Sequence, residues 1–136
     1  MIITRQDYLK GREKKFSQEF TDDLSANTNK IIARASELLS RAGITKAYVT
    51  SGWRPKSINA AQGGSVNSQH IFCNAIDLFD PDKKIGQWCV QNVEALAEIG
   101  LWMESLLTTH ASEDPQGRWV HLQDVPPKSG NRIFIP

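Results

Sequence analysis

Ser68-Gln69-His70-Ile71-Phe72-Cys73-Asn74-Ala75-Ile76-Asp77 is the stretch whose reading decides this chain. It places an imidazole in a polar loop and, shortly after, a carboxylate inside Asn74 to Phe79. That second run partly alternates apolar and polar residues and reads as a strand, ended by Asp80-Pro81. Another strand-like stretch, Arg118 to Gln123, carries His121 within Trp119-Val120-His121-Leu122-Gln123. Two imidazoles and one carboxylate form a three-ligand set for catalytic zinc, which leaves the fourth tetrahedral position to water. Zinc in such a setting lowers the pKa of water towards about 7. The residues alone also allow a plainer role, because His121 flanked by Trp119, Val120 and Leu122 can be a hydrogen-bonded core histidine.

Outward from these two strands the pattern is mixed. Asp22 to Ala42 has helical spacing, with Leu24, Ile31, Ile32, Ala35, Leu38 and Leu39 recurring on one face and Gly43 as its stop. Ala47-Tyr48-Val49-Thr50 has β character and leads into the turn-rich Ser51-Gly52-Trp53-Arg54-Pro55. Lys56 to Asn67 is small and polar, a loop with one helical turn near Ile58 to Ala61. Asp82 is placed to cap a helix from about Lys84 to Ile99. Leu101 to Glu104 and Arg132 to Ile135 read as short extended pieces, and Thr108 to Gly117 as a loop. Residues 1–20 read as an irregular N-terminal arm whose aromatics pack on the body. Helices before and between the strands predict an α+β fold with a small antiparallel sheet. Its 136 residues predict one domain.

The bulk numbers exclude several classes. A formal net charge of +1, with Lys10 to Lys15 as the one basic run and Glu13 interrupting it, gives no footprint for nucleic acid. No apolar stretch approaches the ~20 residues that span a bilayer, so no membrane insertion is expected. Cys73 and Cys89, both among apolar residues, read as buried free thiols rather than a disulfide scaffold. The N-terminus shows neither an apolar core nor a cleavage pattern of a signal peptide.

Ser68, His70, Ala75 and Asp77 stand in the register Ser-x-His-x-x-Gly-x-Ala-x-Asp, with His121 following in a Trp-containing strand. Upstream come Ser51-Gly52-Trp53-Arg54, Asn59, Gly63-Gly64 and Asn67. This pattern, over residues 47–123, resembles the zinc D-alanyl-D-alanine carboxypeptidase family, which includes the vancomycin-resistance dipeptidases and phage L-alanyl-D-glutamate endopeptidases. The resemblance implies the Hedgehog/DD-peptidase fold, helices packed on a small antiparallel sheet. It implies Zn2+ held by His70, Asp77 and His121, with Arg54 beside it binding a substrate carboxylate or carbonyl oxygen. Ser68 is expected to order the loop rather than to act as a nucleophile, since no His–acid relay serves it. The implied activity is cleavage of a peptide bond involving D-amino acids in peptidoglycan, so the expected partners are peptidoglycan peptide stems and, for a phage-type member, virion proteins. Such a protein would be made in the host cytoplasm and would act at the cell wall after holin release or from a phage particle.

Two positions depart from the family pattern. Cys73 stands where the family has glycine, which implies a backbone geometry open to non-glycine residues or a shifted loop. Arg118 stands where the family carries the acid of Glu-x-x-His, its general base, and arginine cannot serve as one. The candidates to replace it are Glu104, Glu113, Asp114 and Asp124; Glu104, which ends the apolar Leu101-Trp102-Met103 stretch and is expected on a sheet edge facing the cleft, is preferred as the general base. Three readings follow: an active zinc peptidase, a zinc-bearing but non-catalytic wall-binding or phage structural protein, and a metal-free domain that keeps only the fold.

Overall fold

The computed structural model describes all of residues 1–136. Two short helices, α1 (Arg5–Leu9) and α2 (Arg12–Lys15), precede the long α3 (Asp22–Arg41). Strand β1 (Val49–Ser51), α4 (Lys56–Ala61), β2 (Ala75–Phe79), α5 (Lys84–Gln91) and α6 (Val93–Ile99) come next. Then follow β3 (Trp102–Glu104), α7 (Leu106–Thr109), β4 (Trp119–Gln123) and β5 (Ile133–Phe134). The strands form one sheet in the order β1-β2-β4-β3-β5. The α+β class is the one expected. The β1–β2, β2–β4 and β3–β4 pairings are antiparallel, and β5 joins the edge of β3 in parallel.

Alternation along the strands sorts the sheet into two faces. Ile76, Leu78, Met103, Val120 and Leu122 join one buried cluster with Ile31, Ile32, Ala35, Leu38 and Leu39 of α3. Burying each such large aliphatic side chain contributes about 1.5–3 kcal/mol. Thr21 starts α3 by accepting from the Leu24 N–H, and Asp22 and Asp23 sit where the helix dipole favours negative charge. The opposite parity, Asp77 on β2 and His121 on β4, turns to the other side of the sheet.

The first 20 residues are not an irregular arm. Thr4 and Asp7 form a reciprocal capping box at the start of α1, a signal that Thr-x-x-Asp carries in the sequence. Ile3, Tyr8 and Leu9 are at most 1% exposed, and the Tyr8 hydroxyl donates to the Ala75 carbonyl at 2.7 Å. The segment is therefore part of the core. The expected helix over 84–99 is broken in two at Asn92, whose side chain turns back to the Trp88 carbonyl. Asp82 gives that helix one exposed bond, to the Lys84 N–H, while the buried Asp80 accepts from both Ile85 and Gly86. The expected 108–117 loop opens on the last turn of α7 and closes on a 3-10 turn, Pro115–Gly117.

Candidate metal centre

Asp77 and His121 are direct cross-strand partners on β2 and β4. Ser51 of β1 lies opposite Asp77 on its other side. Met103 pairs with Leu122, so continuing that antiparallel ladder by one step sets Glu104 opposite His121, and Glu104 in turn pairs with Phe134 of β5. One transverse row, Ser51–Asp77–His121–Glu104–Phe134, thus crosses the whole sheet. His70 enters this row from the loop before β2.

The three groups converge closely. Asp77 Oδ1 is 2.8 Å from His121 Nδ1 and 3.2 Å from His70 Nε2. One ligand atom from each residue lies within 4.8 Å of the others. Tetrahedral zinc with bonds of about 2 Å spaces its ligand atoms roughly 3.3 Å apart, so the cluster has the right dimensions. The hydrogen positions fit as well. His70 Nδ1 is 2.9 Å from the Gly52 carbonyl, which can only accept, so that nitrogen carries a hydrogen and Nε2 is the one that faces the cluster. Once their protons are shed, three electron-pair donors gathered this closely can hold a metal cation between them.

Electrostatics follow from this packing. Burial works to raise the Asp77 pKa, but hydrogen bonds from His121 and His70, and their charges, more than reverse it and hold the carboxyl well below its usual range. Burial works to lower the His121 pKa, yet the hydrogen bond and charge of Asp77 prevail and raise it. Glu104, half-buried, is raised by burial and by the charge of Asp77, against the opposing pull of His121 and His70.

Arg54 lies beside the cluster. Its Nη2 is 3.7 Å from Asp77 Oδ2 and its Nε donates to Ser51 Oγ at 3.0 Å. The turn that carries it requires Gly52, because a Cβ there would lie 2.0 Å from the Tyr8 carbonyl oxygen. Ser68 accepts from the His70 N–H and so orders the loop. Cys73 departs from the expectation of a non-glycine geometry or a shifted loop: its φ is 57°, the left-handed conformation that suits glycine, with its side chain fully buried. Burial pushes the Cys73 and Cys89 thiols up to about 11 and 12, so neither is a reactive nucleophile.

Among the carboxylates weighed as bases, the structure separates one from the rest. Glu113 and Asp114 are exposed, the latter capping the 3-10 turn. Asp124 follows β4 on the parity of Val120 and Leu122 and pairs with Lys30 of α3 at 3.8 Å. Only Glu104 shares the row with the cluster. Arg118 shares the parity of Val120 too, and its guanidinium holds main-chain carbonyls of Ser112, Glu113 and Pro81. No sequence signal marks Gln123, whose Oε1 is 2.9 Å from His121 Nε2, or Phe134, whose ring meets the His121 ring edge-on at 6.2 Å.

A two-histidine, one-carboxylate donor set is one that metal-dependent hydrolases use. The Peptidase M15 family model matches residues 9–106, and the chain belongs to that family. The matched segment includes Arg54, His70, Asp77 and Glu104; the fold adds His121 from beyond it. No curated protein and no solved structure matches the chain.

Proposed function

We propose that this chain is a zinc-dependent peptidase that hydrolyses a peptide bond involving a D-amino acid in the peptide stems of bacterial peptidoglycan. The observation that carries the proposal is the transverse row: three convergent electron-pair donors with one carboxylate, Glu104, beside them. His70, Asp77 and His121 would hold the ion. Bound zinc supplies Lewis acidity and lowers the pKa of water. Glu104 would take the proton from the attacking water and return it to the leaving amine, and burial, by raising its pKa, makes it a stronger base than an exposed carboxylate. Arg54, tied to Ser51 through Nε, keeps other guanidinium N–H groups for a substrate carboxylate or for the oxyanion that develops at the scissile carbonyl.

The test is mass spectrometry of purified peptidoglycan fragments incubated with zinc-loaded protein, with and without chelator. Chelator-sensitive products with a defined new terminus are expected, and they identify the bond. Glu104→Gln should keep stoichiometric zinc and lose about 10²–10⁴-fold in turnover. Zinc-loaded wild type that releases no fragment would favour a wall-binding or structural role instead. A Glu104→Gln variant with full turnover would remove Glu104 from the chemistry.

A further inference from the structure

Gln123 is 6% exposed and sits in β4 between Ala75 of β2 and Trp102 of β3, so its backbone is clamped on both sides. Its amide Nε2 donates to the Val125 carbonyl at 2.9 Å, and its Oε1 lies 2.9 Å from His121 Nε2. The Val125 carbonyl has no hydrogen to give. The amide nitrogen must therefore face Val125, which leaves the amide oxygen facing the ring. An amide oxygen only accepts, so His121 Nε2 carries a hydrogen, and Nδ1 is the nitrogen left facing Asp77, where it shares a proton with the carboxylate until a metal takes its lone pair.

We propose that Gln123 is a positioning residue of the metal centre, which fixes His121 in the Nε2–H tautomer and so presents Nδ1 to the ion. This rests on the metal-centre reading above. The two histidines are held in opposite senses: the Gly52 carbonyl fixes Nδ1–H on His70 and frees Nε2, while Gln123 fixes Nε2–H on His121 and frees Nδ1. For His70 a main-chain carbonyl does this. For His121 the task falls to a side chain, itself oriented by Val125, and so it can be removed by substitution. Without Gln123 the imidazole can swing about its Cβ–Cγ bond and turn a carbon towards Asp77, or hold its hydrogen on Nδ1, where a metal cannot bind. Partners of this kind at other metal-bound histidines contribute about 10–100-fold in metal affinity.

The experiment measures zinc affinity by competition with a chromophoric chelator for wild type, Gln123→Leu and Gln123→Glu. Gln123→Leu is expected to bind about 10–100-fold more weakly, and Gln123→Glu, which keeps an accepting oxygen, to recover most of that loss. ¹⁵N NMR of the histidine rings in the zinc-loaded wild type gives a second readout that needs no variant to fold: His121 Nε2 should carry a hydrogen and Nδ1 the metal. A metal on Nε2, or Gln123→Leu binding as tightly as wild type, would overturn the role of Gln123 and leave the metal centre standing. Wild type that takes up no zinc would sink the metal-centre reading, and this role with it.

Discussion

Arg118 spends its guanidinium on three carbonyls: Nε on Ser112, Nη1 on Pro81 and Nη2 on Glu113. It fastens the loop before β4 to the turn after β2. Arg118→Glu would restore the family's acid in the sequence and nothing in the site, because in this chain the side chain at 118 is directed to the carbonyls of Ser112, Pro81 and Glu113 rather than to the row. The variant should lose about 1–3 kcal/mol of stability, the usual value of hydrogen bonds from a charged group, with no rise in turnover; chemical denaturation and a peptide-cleavage assay measure the two. A gain in turnover would mean that this residue reaches the cleft. That position 118 supplies no base was legible in Arg118-Trp119-Val120-His121. The pairing of His70 with Asp77 was legible too, since the motif holds its register. The backbone of Cys73 was not: a left-handed residue with a Cβ costs roughly 1–2 kcal/mol, a cost set against the full burial of its thiol. Gln123 was equally hidden, because its meaning lies in an amide orientation set by Val125.

At the scale of elements, α5 is set by the residue that receives its first N–H groups. Asp80 is fully buried, accepts from Ile85 at 2.9 Å and Gly86 at 2.8 Å, and meets His110 Nε2 at 2.7 Å. The third histidine of the chain thus belongs to a structural pair that ties α5 to the end of α7, away from the metal cluster. Gly86 permits the approach, since a Cβ there would stand 2.4 Å from His110 Cε1. Asp80→Ala removes a cap, at about 0.5–2 kcal/mol, and strands a buried imidazole and two amides, at about 1–3 kcal/mol. A loss of roughly 1.5–5 kcal/mol is expected in denaturant unfolding, with faster hydrogen exchange at Ile85 and Gly86. Unchanged exchange at those amides would show that α5 does not depend on Asp80. The sequence pointed to Asp82 as the cap and to Asp80 only as the end of the strand; the buried Asp80 takes the inner N–H groups instead, and burial is what spacing alone does not show.

Across the whole molecule, the site draws on parts of the chain that meet only when the sheet is complete: the 68–74 loop, β2, β4 and β3. The unfolded chain has no such donor set, so an ion bound here stabilises the native state alone, by about 2.7 kcal/mol at one hundred times Kd. Zinc should raise the thermal midpoint, chelator should reverse the rise, and His70→Ala should abolish it. The increment should also depend on pH, with a definite sign. The His121 pKa lies above its ordinary value of 6.5 in the metal-free protein, so its protonated form stabilises the apo fold at low pH and that contribution is lost as pH rises through the folded value. A metal needs the same nitrogen deprotonated, and protons compete with it. Asp77, held below the usual carboxylate range, stays ionised throughout and does not set the window. The zinc-dependent rise should therefore be full well above pH 6.5 and shrink as pH falls through the raised His121 value, in differential scanning calorimetry of matched zinc and chelator samples. An increment that held constant from pH 8 to pH 5 would show that the stabilising ion does not share a nitrogen with the proton on His121.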